Sequence, residues 1–418
     1  MINTIPRAVT RTIAGAALLC FSAACSNKFL DVTNPNVIDA STVDPTAGAT
    51  LLANSAQQNF ATAYGWLNLY SAWFSGEADV ADTFPTRNEF GFRGIADVNG
   101  SLASDVWNPI QVAIASTKLV LDLTLPTPTT NINIARAATF RGFAILHMAS
   151  DFCAGDLSSG PKLTTAQLLD TASYWFNQGR TVGLANGTTD GTNLANAAAL
   201  GLARARLQAG DLAGAQTAAA LVPAGFNYNM TYLQDLNNQN RIENKLWQYT
   251  FDRSALSVAA GYQNGDTRIP FLTPAQTPLR GQDALPLGFF PQQKFTAYGT
   301  PIRLASRLEA DYVAAEASAN VATQLALIAT RRTAAGQPAY AGAVDANSVL
   351  TELLYQYGQD FFLEGRKLAA FRRHPTNIQN IRPAGAAYLK PGYANVGTQT
   401  CYPVPYVEYS NNPNYGAP

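Results

Sequence analysis

The sequence predicts a mostly all-α chain of paired helices interrupted by one long irregular insert. Three observations predict it. Apolar residues recur at three- and four-residue steps almost throughout, one segment reads as an alanine-rich helical hairpin, and over 226–301 the period vanishes.

The first elements lie ahead of the fold. Arg7 and Arg11 precede a short apolar run over 13–21, too short to span a bilayer, and Ser22-Ala23-Ala24-Cys25 follows it. Small residues leading into a cysteine read as a lipoprotein signal, 1–24 being removed and Cys25 acylated; an ordinary secretory signal cut near Ala24 is the alternative. Several acyl chains make a stable anchor without a spanning helix.

The helices follow in order. Asp44-Pro45 suits an N-cap and first helical residue for a helix running on toward Tyr64. Leu102, Val106, Ile110, Ala113, Thr117 and Val120 mark a second helix. Ile134, Ala137, Ala138, Arg141, Ile145 and Met148 mark a third, and Leu168, Ala172, Trp175 and Phe176 a fourth. The stretch 194–223 reads as a hairpin turning at Gly210-Asp211, with Ala203, Ala215 and Ala219 small where two helices pack, much like a tetratricopeptide unit. Over 226–301 Asn, Gln, Gly, Pro and aromatic residues crowd together as loop with short strands, and long ordered loops tend to carry function. Helices resume over 301–319 and 348–373, and the tail from Thr376 is again irregular. In the last helix Leu350, Leu354, Tyr357, Phe361, Glu364, Leu368 and Phe371 share one face. Glu364 there needs a partner, with Arg303, Arg307, Arg331 and Arg366 as candidates, and a structural ion pair is favoured over a catalytic acid.

Composition narrows function. Net charge is zero and only 13% of residues are charged, so nucleic acid and anionic lipid surfaces are poor partners and a neutral ligand suits the surface better. With Cys25 lipidated, Cys153 and Cys401 remain as an even pair in an oxidising compartment; a disulfide and two free buried thiols are both open. The two histidines, His147 and His374, sit in helical segments. No HExxH, CxxC, phosphate loop or Gly-x-Ser-x-Gly occurs, so neither a metal nor a cofactor is expected.

Several segments together resemble the SusD/RagB family of outer-membrane nutrient-uptake lipoproteins. Glu364, Gly365 and Arg366 are similar to its Glu-Gly-x-Arg signature, and Ala315, Glu316 and Ala317 to its Ala-Glu-Ala helix end. Pro403 and Pro405 with Asn412, Pro413 and Asn414 resemble its closing pattern. Leu30-Asp31 and Asn34-Pro35-Asn36 after Cys25, Trp107 in the second helix, and Arg141 in the helix over 135–152 add to it in the right order. The resemblance implies a SusD-like domain over 25–418, divided into an N-terminal helical part (25–225), the insert (226–301) and C-terminal helices with the tail (302–418). It also implies a surface-exposed outer-membrane lipoprotein, tethered through 27–36, that acts as a lid. Such a protein binds glycans, or sometimes peptides, and delivers them to a SusC-like TonB-dependent transporter without being an enzyme.

Aromatic faces stack on the C–H surfaces of sugars while nearby polar groups bond the hydroxyls. Two regions supply that mix. The first, 64–93, offers Trp66, Trp73, Asp79, Asp82 and Arg87; the insert offers Tyr228, Tyr232, Tyr262, Asn264, Phe289 and Tyr298. Trp66, Trp73, Asp79, Asp82, Tyr262 and Tyr298 are the leading ligand-binding candidates. The rival functions are a helical glycoside hydrolase using Asp79 with Asp82, or Glu77 with Asp82, and a structural repeat adaptor.

Overall fold

The first helix of the described residues, α1 (Pro45–Phe74), runs through the core, with Phe60, Tyr64, Leu67, Tyr70 and Trp73 all buried. A computed structural model describes residues 44–233, 242–283, 285–286 and 288–416; the leader 1–24, Cys25 and the tether 27–36 lie outside the described residues. Residues Pro45–Pro418 form one compact unit. α1 turns into β1 (Ala78–Val80) and a short α2 (Pro85–Gly91). A π-helical turn, Leu102–Trp107, then leads into α3 (Asn108–Leu121).

Three long helices build one side of the unit: α4 (Ile132–Asp151), α5 (Thr165–Asn186) and α6 (Thr189–Gln208). Their limits are written in their caps. Thr164 and Gln167 form a reciprocal capping box at the start of α5. Gly187 (φ 74°) ends α5 in the left-handed region, and Thr188 caps α6. The Phe176 ring of α5 lies in a slot made by two glycines. A Cβ on Gly201 of α6 would fall 2.2 Å from Cε1 of that ring, and one on Gly142 of α4 would fall 2.7 Å from its Cδ1. The expected hairpin is α6 followed by α7 (Leu212–Ala220), with Asp211 capping the second helix, and Ala203, Ala215 and Ala219 are all buried between them.

Beyond the hairpin, β2 (Asn227–Met230) leads into the insert. The short helix α8 (Lys245–Trp247) runs on as a π turn, Gln248–Asp252, and β3 (Leu256–Val258) pairs antiparallel with β1. The C-terminal part holds β4 (Ile302–Ser306), α9 (Arg307–Ser318), α10 (Val321–Ala334), α11 (Ala346–Asp360), α12 (Lys367–Arg373) and α13 (Tyr406–Asn411). Cys153 and Cys401 are joined by a disulfide, Cα–Cα 5.2 Å, which ties the tail to the end of α4.

Two expectations are corrected here. Residues 302–306 are a strand because β2 supplies an antiparallel ladder for them, so the helix starts only at Arg307, capped by the Ser306 hydroxyl. The helix expected over 348–373 is two. Between α11 and α12 the chain reverses through Leu363 (φ 61°) and Gly365 (φ 67°). The Leu363 N–H is taken by the Glu77 carboxylate at 2.9 Å, and a Cβ on Gly365 would stand 2.3 Å from the Asn68 Oδ1 of α1. A buried acceptor on another element outweighs the helical period there.

The polar interior explains the family-like signature. Arg366 pairs with Glu309 at 2.8 Å and donates to the Tyr64 hydroxyl (3.0 Å) and the carbonyls of Glu364 (2.8 Å) and Leu304 (2.7 Å). It thereby clamps α1, β4, α9 and the α11–α12 junction together. Glu364 is an ion pair rather than a free acid. Lys294 reaches it at 2.7 Å and Arg303 at 2.9 Å, while Arg307 and Arg331 pair with Asp311 and Asp360 instead. Although burial disfavours its charge, Lys294 and Arg303 hold the Glu364 carboxyl below its usual range.

Candidate ligand-binding site

Strand alternation places the first functional side chain. In β1 the Ala78 and Val80 side chains enter the core, so Asp79 between them points outward. It opens on a cavity of about 350 Å³ built from four separate stretches of chain. Gly76 and Asp79 contribute from the end of α1 and β1, Ala259–Gly261 and Gln263 from the turn after β3. Leu285, Pro286 and Gly288 come from the insert, and Asn380, Ile381, Arg382 and Leu389 from the tail. That volume lies in the range of small-ligand pockets, and apolar walls with a few placed polar groups are their usual make-up.

The tail is fitted closely to the floor. Asn380 sits at φ 59° and donates from Nδ2 to the Gly261 carbonyl at 3.0 Å, while its own carbonyl accepts from Lys367 Nζ at 3.1 Å. Gly76 (φ 71°) permits this approach, since a Cβ there would lie 2.9 Å from the Asn380 oxygen. Arg382 donates to the Asp79 carboxylate and to the Gly91 carbonyl, the latter at 3.1 Å, so the cavity's one acid–base pair is internally compensated.

Beneath the floor lies a second pair of opposite charges, Glu77 and Lys367, both buried. Burial pushes the Glu77 carboxyl up and pulls the Lys367 ammonium down to about 7, each opposed by the other's charge. Lys367 also lies 4.7 Å over the Tyr262 ring.

The sequence-predicted residues divide sharply. Asp79 lines the cavity. Tyr262 belongs to the turn that forms the wall, but its ring is 2% exposed and faces inward onto Phe362. Trp73 is fully buried, edge-on to Tyr70 and Tyr249. Asp82 is equally buried, accepting from Arg87 and from the Phe84 N–H at 2.9 Å. Trp66 is half-buried, with Tyr249 against its ring and Lys245 Nζ 4.8 Å over it. Tyr298 packs on Trp247, ring centroids 3.7 Å apart, and is not among the lining residues. Tyr232 and Phe289 are buried, and Asn264 bonds the Tyr355 hydroxyl of α11. Among the described residues no aromatic side chain lines the cavity; most rings of both regions pack in the core, and the half-buried Trp66 and Tyr298 pack on Tyr249 and Trp247 instead. The sequence reading missed Asn380, Ile381, Arg382 and Leu389. The one available signal was Arg382 itself, an isolated charge in an aperiodic tail.

Comparison with known proteins gives no match to a family model and none to a curated protein. Solved structures do match. A SusD superfamily protein from Bacteroides vulgatus aligns over 88% of this chain and 97% of its own, with TM-score 0.65 and 14% identity. One from Parabacteroides distasonis covers 88% and 98%, with TM-score 0.65 and 15% identity. A SusD-like carbohydrate binding protein from Bacteroides vulgatus covers 78% and 83%, with TM-score 0.62 and 15% identity. The chain has the SusD superfamily fold.

Proposed function

We propose that this chain is a binding protein for neutral glycans or other oligomeric nutrients, held at the outer face of an outer membrane by a lipid on Cys25. In this reading it hands its ligand to a TonB-dependent transporter. The observation that carries the reading is the cavity between β1, the insert and the tail, formed on the SusD-type scaffold by segments that are otherwise irregular. Its Asp79–Arg382 pair is compensated, which favours hydroxyl-bearing ligands over charged ones. Binding is favoured over hydrolysis because, of Glu77, Asp79 and Asp82, only Asp79 reaches the cavity, whereas Glu77 and Asp82 are fully buried. A second carboxylate at glycosidase spacing is therefore not supplied by that set. Among the described residues no helix is long and apolar enough to cross a membrane.

Isothermal titration with a panel of neutral oligosaccharides and short peptides tests the reading. Binding that falls at least tenfold in Arg382→Ala supports it. A panel without any binder, or product release from the oligosaccharides, sinks it. Fractionation of Cys25→Ser tests the anchor, and co-purification with a large barrel tests the partner.

A further inference from the structure

A second cavity is larger than the one beside β1. A cleft of about 630 Å³ opens where β2, β4 and the N-terminus of α9 meet the insert. Its lining includes three cations, Lys294, Arg303 and Arg307, against two carboxylates, Glu364 and Asp311. The pairing within this set is unequal. Glu364 is saturated: Oε1 accepts from Lys294 Nζ (2.7 Å) and Arg303 Nη2 (2.9 Å), and Oε2 from Arg303 Nε (2.9 Å). Asp311 is held by Arg307 at 2.8 Å. The cations are not saturated. Arg303 uses Nε and Nη2, the latter also on the Asp360 carbonyl at 2.7 Å, and its guanidinium lies 4.4 Å over the Phe361 ring; among the described residues its Nη1 group has no acceptor. Lys294 uses two protons, on Glu364 and on the Phe362 carbonyl at 2.8 Å, and keeps the third. Both side chains are 21% exposed, and both residues line the cleft.

The surroundings add hydroxyl-binding groups. A β-bulge between Tyr228 and Asn229 sets Asn229 opposite Arg303, while Asn227 stands opposite Ser306. Both asparagines are exposed, and the half-buried Phe226 adjoins them. The positive end of the α9 dipole, at Ser306–Leu308, faces the same space.

We propose that this cleft is a separate binding site for an acidic saccharide. The carboxylate of a uronic acid unit sits between Arg303 Nη1 and Lys294 Nζ, and Asn227 and Asn229 bond the hydroxyls of that unit and its neighbour. The saturated Glu364 does not compete for sugar. It holds the two cations at a fixed spacing, so little ordering is left for binding to do.

Titration of the intact protein with an oligomer of galacturonic acid, its methyl ester and the matching neutral galactose oligomer decides the matter. The acid is expected to bind at least tenfold more tightly than the ester and the neutral oligomer, with an affinity that falls as salt rises. Lys294→Met removes one donor and is expected to weaken the acid at least tenfold. Because Lys294 also supports Glu364, the exposed lip variant Asn229→Asp is the second probe; its added charge repels the acid without touching the core. Equal binding of the three oligomers overturns the proposal, as does undiminished binding in a folded Asn229→Asp protein. Tighter binding of an acidic peptide than of the galacturonate overturns the saccharide assignment. A chain that binds the galacturonate but no neutral oligosaccharide refutes only the function proposed above.

Discussion

Removing the Cys153–Cys401 disulfide is the perturbation whose size the structure fixes best. The bridge closes a loop of 248 residues. In the chain-entropy account a loop of that size restrains the unfolded chain by about 5.5 kcal/mol at 25 °C, an upper figure because unfolded chains keep some structure. Native contacts survive the change. Cys153 N–H still donates to the Tyr402 carbonyl (2.9 Å) and Tyr402 N–H to the Asp151 carbonyl (2.8 Å), and the Tyr402 ring stays among Phe74, Phe90 and Phe152. The expected loss is therefore ~3–5 kcal/mol, close to what native disulfides usually contribute. In a unit of this size, with an unfolding entropy of about 2 cal/mol/K per residue, that lowers Tm by about 5 °C. Calorimetry of the Cys153→Ser/Cys401→Ser double variant, and of the unaltered protein with and without reductant, measures it. A double variant that melts with the oxidised protein refutes the reasoning. So would a reductant effect of equal size in the variant, since that shift could not come from this bridge.

Three further outcomes are expected. Arg366→Met leaves Glu309 buried with, among the described residues, only Arg204 (3.4 Å) as an ion-pair partner, and losing one member of a buried pair costs ~3–5 kcal/mol, read as a lower urea midpoint. Gly201→Ala drives a methyl into the Phe176 ring and is expected to cost ~1–3 kcal/mol by overpacking; Gly201→Ala with Phe176→Leu recovers part of it in the same denaturation assay. Asp156 is raised to about 7 by burial and by the neighbouring Glu408 charge. An acid whose folded pKa lies above its unfolded value stabilises fully below the unfolded value, and that share is lost as pH climbs through 7. Thermal melts at pH 5 and pH 8 are therefore expected to show Asp156→Asn gaining on the unaltered protein at the higher pH.

What the sequence disclosed, and what it withheld, follow from how local each determinant is. The α6–α7 hairpin was legible because its cause is local: alanines at contact positions and Gly210-Asp211 between them. The break between α11 and α12 was not. The heptad-like stripe runs unbroken through Phe361, Glu364 and Leu368, and the reversal at Leu363 depends on Glu77, distant in sequence, accepting its N–H. Trp73 and Asp82 misled for a related reason. Aromatic and acidic residues near a helix end look alike whether they face a ligand or a neighbouring helix, and only the position of Arg87 and Tyr249 decides it. Asp79 was offered only as one acid in the aromatic-rich stretch 64–93, and it is the strand alternation seen in the structure that turns it toward the cavity; its partner Arg382 was not offered, since nothing periodic marks the tail.

The two cavities differ in a way that bears on what the chain takes up. At the β1 cavity an acid and a base neutralise each other, so a charged ligand entering it would compete with an existing pair and gain little. At the β2–β4 cleft Glu364 is fully satisfied while Lys294 and Arg303 are not, so an incoming carboxylate finds donors already fixed in place. A polysaccharide with both neutral and acidic units could occupy the two at once. Effective concentration would then make the whole chain bind more tightly than either fragment. Such a ligand would lose the excess when either Arg382 or Lys294 is replaced, whereas ligands confined to one cavity would respond to only one of the two substitutions.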